Sequence, residues 1–208
     1  MDKQELLLIG AGGHAQVCAD IIKQESNYRI AGLVATGGEV GQLQFGYKVI
    51  GADKDLSDFR ALYQNAFIGI GQILTPDPRI RAYELLLKLR FKLPILISPN
   101  AYVAPGVSIG AGTIIMHGAI VNPGVSIGAN CIINTRAVIE HDSVVSDHCH
   151  VSTGAILNGE VRVGLGCFIG SGSLLKEGVC VGNSCVIGMG SIVKKDISEG
   201  VKMRTILC

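Results

Sequence analysis

The sequence predicts an α/β amino-terminal domain of the Rossmann-like kind, followed by an all-β domain wound as a parallel β-helix. A glycine-rich turn follows the first apolar run, as in the strand–turn–helix unit that opens many α/β domains. From Ile97 to Val193, every sixth residue is Ile, Val or Leu, a period typical of β-helix repeats rather than of heptads or alternating strands. We place the domains at residues 1–92 and 93–208, because Pro94 ends the last helical pattern.

The amino-terminal domain alternates between strand and helix signals. We expect strands at 6–9, 28–35 and 66–70, one helix from the glycine turn to about residue 23, and another at 78–91. Gly71 then lies at the carboxyl end of the third strand, which is the usual ligand edge of a parallel sheet.

The motif GAGGHA at 10–15 has the glycine spacing that presents backbone N–H groups to a phosphate at a helix start. A dinucleotide-binding domain usually has an acid at the end of its second strand, where Ala35-Thr36 supplies none. Three interpretations stay open: a nicotinamide dinucleotide, the pyrophosphate of another ligand such as a nucleotide sugar, or a tight turn without a ligand. His14 could donate to a phosphate or only cap the turn.

The repeat also explains the sizes of other residues. The fourth residue after each large aliphatic one is nearly always small, which suits a narrow prism whose inward side chains alternate in size. Four cysteines recur every eighteen residues and should stack as buried small hydrophobes, with three hexads to a coil: Cys131, Cys149, Cys167 and Cys185. We expect the repeat glycines, Gly110 and Gly128 among them, to supply strained backbone at the corners.

The composition excludes several classes of protein. A net charge of +1 gives no footprint for nucleic acid or a membrane surface. The first residues give no secretory signal and no apolar run is long enough to span a bilayer, so we expect a cytoplasmic protein. The seven cysteines contain no CxxC pair, which favours neither a disulfide framework nor a zinc site.

One coil concentrates the polar chemistry. Residues 133–150 contain no glycine and hold three of the five histidines, whereas 97–132 contain no Asp, Glu, Lys or Arg. An imidazole can take a proton at neutral pH, and a carboxylate on its other ring nitrogen fixes the tautomer. His141 followed by Asp142 offers this pair; the alternative is a solvated pair at an exposed corner. The uncharged side of the rod predicts a packing surface.

Five motifs, in order across both domains, resemble the hexapeptide-repeat sugar acetyltransferases. That family includes sialic-acid O-acetyltransferases of the NeuD type and UDP-amino-sugar N-acetyltransferases of the PglD type. The motifs are GAGGHA (10–15), FIGIG (67–71), NTRAVIEHD (134–142), HVSTGAILNGEVRVG (150–164) and IGMGSIV (187–193). The resemblance implies a left-handed β-helix, acetyl-CoA as co-substrate without a metal, and a homotrimer with the acetyl-CoA cleft between neighbouring rods.

The resemblance also assigns site residues. It makes His141 the general base and Asp142 the carboxylate that raises its basicity. Three residues match positions that hold acetyl-CoA: His150, Ser171 and Met189. Gly159 lies one coil after His141, so its backbone could approach the acetyl carbonyl and stabilise the oxyanion. Four residues match positions that hold a nucleotide-sugar acceptor: Gly12, Gly13, His14 and Gly71.

The favoured function is therefore direct acetyl transfer from acetyl-CoA to a nucleotide-linked amino sugar in bacterial surface-glycan synthesis. The alternatives are O-acetylation of sialic acid or a related sugar, and a catalytically silent binding protein on the same rod. A Cys149–His150 nucleophile pair is disfavoured because Cys149 points inward, and the spacing of His148, Cys149 and His150 is unlike a closed zinc site. His117 is expected to be a packing or interface residue.

The chain departs from the family pattern in two further places. After FIGIG, Gln72 is followed by an Ile-Leu-Thr-Pro segment. Most members close with a G-x-P-A-type loop that touches the nucleotide end of the cofactor, whereas this chain ends differently at 200–208. We therefore expect altered contacts to the adenine end, and the acceptor sugar stays open.

Overall fold

The structure is a computed structural model that describes residues 3–25, 27–35 and 40–203. Thr36, which follows the second predicted strand, and residues 204–208 of the atypical tail lie outside the described residues. The chain divides into two compact units, Met1–Gly71 with Asp77–Leu96 and Gln72–Pro76 with Ile97–Cys208. The short segment Gln72–Pro76 therefore belongs to the second unit, although its neighbours in sequence belong to the first.

In its described residues, the first unit is a five-stranded sheet with three helices. Its strands are β1 (Gln4–Ile9), β2 (Tyr28–Val34), β3 (Leu43–Gln44), β4 (Tyr47–Gly51) and β5 (Asn65–Ile68), and its helices are α1 (Gly13–Gln24), α2 (Leu56–Leu62) and α3 (Asp77–Lys88). The sheet order is β3-β4-β2-β1-β5, parallel throughout except for the β3–β4 hairpin. A 3₁₀ turn at Asp53–Asp55 precedes α2.

The predicted strands and helices of this unit are confirmed, with ends that differ by a few residues. The hairpin β3–β4 and helix α2 were not predicted, because α2 buries only Leu56 and β3 is two residues long. Strand β1 is buried from Leu6 to Ile9, as expected for a central strand of a parallel sheet covered on both faces. Within the described part of the chain, no helix is long and apolar enough to cross a membrane.

The second unit is a rod of two-residue strands in three parallel sheets, which we call sheets I, II and III. Sheet I contains Tyr102–Val103, Ile120–Val121, Val138–Ile139, Ile156–Leu157, Leu174–Leu175 and Ile192–Val193. Sheet II contains Ser108–Ile109, Ser126–Ile127, Val144–Val145, Arg162–Val163 and Cys180–Val181. Sheet III contains Leu96–Ile97, Ile114–Ile115, Ile132–Ile133, His150–Val151, Phe168–Ile169, Val186–Ile187 and Lys202–Met203.

Up to Ile192–Val193, each strand pairs with the strand eighteen residues on, for example Ile120 with Val138, so three hexads make one coil as predicted. The last pair of sheet III, Val186 with Lys202, is sixteen residues apart. The large aliphatic residue of every hexad from Ile115 to Val193 is buried and forms one continuous core. The stacked cysteines are buried within this core, also as predicted. Their thiols donate to carbonyls of the next coil, as Cys149 Sγ does to Gly164 O at 3.0 Å.

The predicted reason for the repeat glycines was wrong for the positions equivalent to Gly110 and Gly128, and right for glycines in the turns. Gly110 and Gly128 do not have the left-handed backbone conformation. They are glycine because the coils approach closely there: a Cβ atom on Gly110 would lie 2.4 Å from Ala129 N. The left-handed turns fall at other positions, such as Gly118 and Gly124, and are occupied in six coil turns by residues with a side chain: Asn130, Arg136, Asp142, His148, Glu160 and Ser184.

Candidate active site

His141 and Asp142 lie at the corner between sheets I and II, in the coil without glycine. In a straight strand, neighbouring side chains point to opposite faces. Asp142 instead has φ of 59°, a left-handed conformation that costs an ordinary residue about 1–2 kcal/mol. The turn brings both side chains to one side of the backbone, where Asp142 Oδ2 accepts from His141 Nδ1 at 2.9 Å. Both side chains are exposed.

This pairing sets the proton affinity of the imidazole. The pKa of His141 is raised above its usual value, first by the hydrogen bond to Asp142 and further by the charges of Asp142, Glu140 and Glu160. Glu140 is held in place by the Asn122 amide, which donates to its carboxylate at 2.8 Å. With Nδ1 donating to Asp142, Nε2 of the neutral imidazole is left as the proton acceptor, as a general base requires.

Gly159 lies against that second nitrogen. A Cβ atom at this position would be 2.6 Å from His141 Nε2 and 2.7 Å from Cε1, so a side chain would displace the ring. The next residue, Glu160, links the coil of Gly159 to the coil of His141, because Glu160 N donates to His141 O at 2.9 Å. The structure therefore brings the exposed side chains of His141 and Asp142 together with the buried Gly159.

His150 occupies a different environment from His141. It is 6% exposed, with its ring edge against Phe168 at a centroid distance of 5.2 Å. Nδ1 donates to the backbone carbonyl of Gln72, and Nε2 accepts from the Asn134 amide at 2.9 Å. Both ring nitrogens of His150 are therefore occupied. A ligand could contact His150 only through the Asn134 amide, or by displacing Gln72 O or Asn134 from the ring.

Gln72 was predicted only to depart from the family pattern after FIGIG, and not to be a functional residue. It is 3% exposed, and its amide donates to His148 O at 2.9 Å and to Cys167 O at 3.3 Å. In the sequence, Gln72 stands between Gly71 and the apolar pair Ile73-Leu74. This pattern does not distinguish a buried anchor from an exposed loop residue.

The predicted acceptor residues lie at the carboxyl ends of β1 and β5. Gly12 is the N-cap of α1 and Gly13 is its first residue, as the glycine motif predicted. A Cβ atom on either would have nothing within 4 Å, so packing within the unit does not require glycine there. Such open space at a helix N-terminus fits the close approach of a phosphate. Gly71 lies beside His14, whose Cβ would be 3.4 Å from an added Cβ.

Arg79, the second unpredicted residue, holds the FIGIG loop. It is fully buried, and its guanidinium donates to Ile68 O at 2.6 Å and to Ile70 O at 2.9 Å. Gly69 in the same loop packs against Ala15 of α1, since an added Cβ would lie 2.8 Å from Ala15 Cβ. An arginine near the start of a predicted amphipathic helix gave no signal of this role.

The remaining candidates are spread along the rod. Ser171 pairs with Ser152 through their hydroxyls at 2.8 Å, and Met189, one coil on, is exposed. His117 pairs with Ser98 at 2.6 Å. Burial raises the pKa of the Cys149 thiol well above its usual value, which opposes a role as nucleophile. Among the described residues, no group of three His, Cys, Asp or Glu side chains could hold a metal ion.

Two family models match the chain: the PglD N-terminal domain at residues 5–82, and the bacterial transferase hexapeptide (six repeats) at residues 106–141. No curated protein matches the sequence significantly. The solved structures give longer matches, which extend over both units.

One such structure is the acetyltransferase domain of PglB from Neisseria gonorrhoeae in complex with acetyl coenzyme A, with a TM-score of 0.87 and 31% identity over 96% of this chain and 95% of that one. Another is PerB from Caulobacter crescentus in complex with CoA and GDP-perosamine, with a TM-score of 0.88 and 30% identity over 94% of this chain and 91% of that one. A histidine-to-asparagine mutant of perosamine N-acetyltransferase from the same organism, also in complex with CoA and GDP-perosamine, matches with the same TM-score and identity. WeeI from Acinetobacter baumannii, at 19% identity, shows the fold alone.

These matches confirm the predicted fold, an α/β domain followed by a left-handed β-helix of hexapeptide repeats. They also confirm the resemblance on which the acetyl-CoA chemistry was predicted. Because the identity of about 30% extends over nearly the whole length of both chains, the protein belongs to the hexapeptide-repeat sugar acetyltransferases of the PglD type.

Proposed function

We propose that the protein transfers the acetyl group of acetyl-CoA directly to the amine of a nucleotide-linked amino sugar, with His141 as the general base. The observation that carries this proposal is the His141–Asp142 pair with Gly159 beside Nε2. The solved relatives support the substrate class, since the acetyltransferase domain of PglB is in complex with acetyl coenzyme A and PerB is in complex with CoA and GDP-perosamine.

The reaction needs one proton removed and later returned. The amine attacks the thioester carbonyl while His141 Nε2 takes its proton, and Asp142 stabilises the resulting imidazolium through Nδ1. The Gly159 backbone, beside the same nitrogen, stabilises the oxyanion of the tetrahedral intermediate. Collapse breaks the C–S bond, and the imidazolium returns the proton to the CoA thiolate. The products are an amide and free CoA thiol, with no step left for a metal.

The charges around His141 favour an amine over a hydroxyl acceptor. Glu140, Asp142 and Glu160 all act on His141 electrostatically. A local excess of carboxylates attracts the ammonium form of an amino sugar, which releases one proton to solvent before the neutral amine attacks, and does not attract a neutral hydroxyl. This supports N-acetylation over O-acetylation of a sialic acid.

We assign the binding residues by unit. The open N-terminus of α1, with Gly12, Gly13 and His14, and the neighbouring Gly71 hold the diphosphate of the acceptor. His150, acting through Asn134, together with Ser171 and Met189, holds acetyl-CoA.

We further propose a cytoplasmic homotrimer. The six cysteines within the described residues are all free thiols, which suits a reducing compartment. The outward residues of sheet I form an apolar ladder, defined as Tyr102, Ile120, Val138, Ile156, Leu174 and Ile192. Five of the six are exposed, and a contiguous apolar stripe of this kind is typical of an interface.

Release of CoA thiol tests the function, with UDP- and GDP-linked amino sugars and free sialic acids offered as acceptors. We expect turnover with an amino sugar and a product amide that is stable to mild base. His141→Asn should lower kcat by about 10²–10⁴-fold, while His117→Gln, a histidine outside the cluster, should retain activity. A base-labile ester on sialic acid as the main product, or full activity of His141→Asn, would contradict the proposal.

A further inference from the structure

Gln72 is the buried anchor of the segment Gln72–Pro76, which lies against the coil that carries three histidines. The segment has neither helix nor strand, and Ile73 and Leu74 directly after the anchor are exposed. A polar side chain buried in such a connection destabilises the fold unless it is hydrogen-bonded. Its partners therefore indicate what the residue is for.

The Gln72 amide bridges two neighbouring coils. Nε2 donates to His148 O at 2.9 Å and to Cys167 O at 3.3 Å. At the other end of the segment, Pro76 lies beside Gly166, whose added Cβ would be 3.4 Å from the proline ring. The two contacts fix the path of the segment, and with it the direction of the Gln72 backbone carbonyl.

That carbonyl accepts from His150 Nδ1, which places the ring proton on Nδ1. Nε2 accepts from the Asn134 amide at 2.9 Å and so carries no proton. The imidazole is therefore neutral and held in one tautomer by a partner on each side. Asn134 is fixed in turn, because its Oδ1 accepts from Thr135 N at 2.7 Å.

We infer that Gln72 is a positioning residue for the acetyl-CoA site: it holds His150 as the Nδ1–H tautomer, and His150 thereby orients the Asn134 amide toward the bound co-substrate. Asn134 is half-buried, whereas His150 is almost inaccessible, so the amide is the group that can face a ligand. The choice of acetyl-CoA as that ligand rests on the proposed function. The Nδ1–H tautomer of His150 rests only on its hydrogen bonds to Gln72 and Asn134.

Gln72→Met is the matched variant for this inference. Methionine has nearly the same shape and removes the amide donor without opening a cavity. It also removes Gln72 Oε1, which is buried and has no hydrogen-bond partner among the described residues. Removing this unsatisfied oxygen offsets part of the stability lost with the two amide hydrogen bonds. Ile73→Ala, in the exposed part of the same segment, is the control.

The first measurement is ¹⁵N NMR of the histidine side chains, with the His150 signals assigned by their loss in His150→Gln. We expect a single Nδ1–H tautomer in the wild type and in Ile73→Ala, whereas Gln72→Met should show mixed tautomers and faster exchange of the Nδ1 proton. Asn134→Ala should keep the Nδ1–H form, because the Gln72 carbonyl remains. A wild-type Nε2–H tautomer would overturn the inference without any variant.

The second measurement is kinetic. Loss of orientation should raise the KM for acetyl-CoA by about tenfold in Gln72→Met and in Asn134→Ala. The KM for the acceptor should stay within about twofold, since neither residue is assigned to it. An unchanged KM for acetyl-CoA in both variants would also overturn the inference. If no acceptor is turned over by the wild type, the proposed function fails, and the NMR result still decides the role of Gln72.

Discussion

At the scale of single residues, Asp142 controls the proton affinity of His141. Its hydrogen bond is the largest cause of the raised imidazole pKa. Because a general base must be unprotonated, the proposed role of His141 predicts that kcat/KM rises with pH through that raised pKa. Asp142→Asn removes the negative charge, so the acidic limb of the profile should move to lower pH, and the rate at its plateau should fall by at least about 10²-fold. A pH–rate profile on both proteins measures the two effects.

The control for this prediction is Glu177→Gln, which removes an exposed carboxylate that is not among the charges acting on His141. Its profile should match the wild type, and an acidic limb that stays in place in Asp142→Asn would contradict the assignment. The His141–Asp142 pairing also affects the stability of the fold, with a pH dependence opposite to that of the activity. Because the pKa of His141 is raised in the folded protein, the pairing stabilises the fold below the pKa of the unfolded imidazole. This contribution is lost as pH rises through the folded pKa.

Gly159 is a second residue whose substitution should act on the imidazole. Its added Cβ would overlap His141 Nε2, so Gly159→Ala should lower kcat by about 10²-fold through a displaced base. The thermal midpoint should change little, since the ring can move toward solvent. Gly154→Ala is the control, which should lose stability and keep activity. Gly154 has φ of 65°, so alanine there should cost about 1 kcal/mol of stability. An added Cβ would have nothing within 4 Å, so activity should stay intact.

At the scale of the structural element, the corner turns of the β-helix separate stability from function. Asp142 and Ser184 occupy equivalent left-handed turns, with φ of 59° and 55°. Ser184→Gly should stabilise the fold by about 0.5 kcal/mol, because relief of backbone strain exceeds the added entropy of the unfolded chain. Asp142→Gly should gain less stability, because it also loses the hydrogen bond to His141. Only Asp142→Gly should lose activity. Chemical denaturation and thiol release on both variants test this, and a stabilised, fully active Asp142→Gly would contradict it.

How far the sequence predicts these elements depends on how regular they are. The six-residue period fixes which side chains point inward, so the core, the stacked cysteines and the register of Gly159 over His141 follow from counting. The same period does not say which glycines bend the chain and which only let coils approach, and the prediction failed for the second kind. The anchors Gln72 and Arg79 hold backbone carbonyls across long sequence separations, which leaves no periodic signal.

At the scale of the whole molecule, the apolar ladder of sheet I distinguishes one side of the rod from another. The corresponding outward positions of sheet II are Ser108, Ser126, Val144, Arg162 and Cys180, which are mostly polar. Water contact with the ladder is unfavourable at roughly 25 cal/mol for each Å² of apolar surface, so association of three chains through sheet I would remove this penalty.

Ile156→Glu places a charge in the middle of the ladder and should convert the proposed trimer to monomers, because a carboxylate buried in an apolar interface is strongly disfavoured. Ser126→Glu adds the same charge at an outward position of sheet II and should leave the trimer intact. Sedimentation equilibrium of the three proteins measures the mass, and circular dichroism checks that the rod stays folded. A monomeric wild type would contradict the proposed trimer, and a trimer that survives Ile156→Glu would show that the interface is not sheet I.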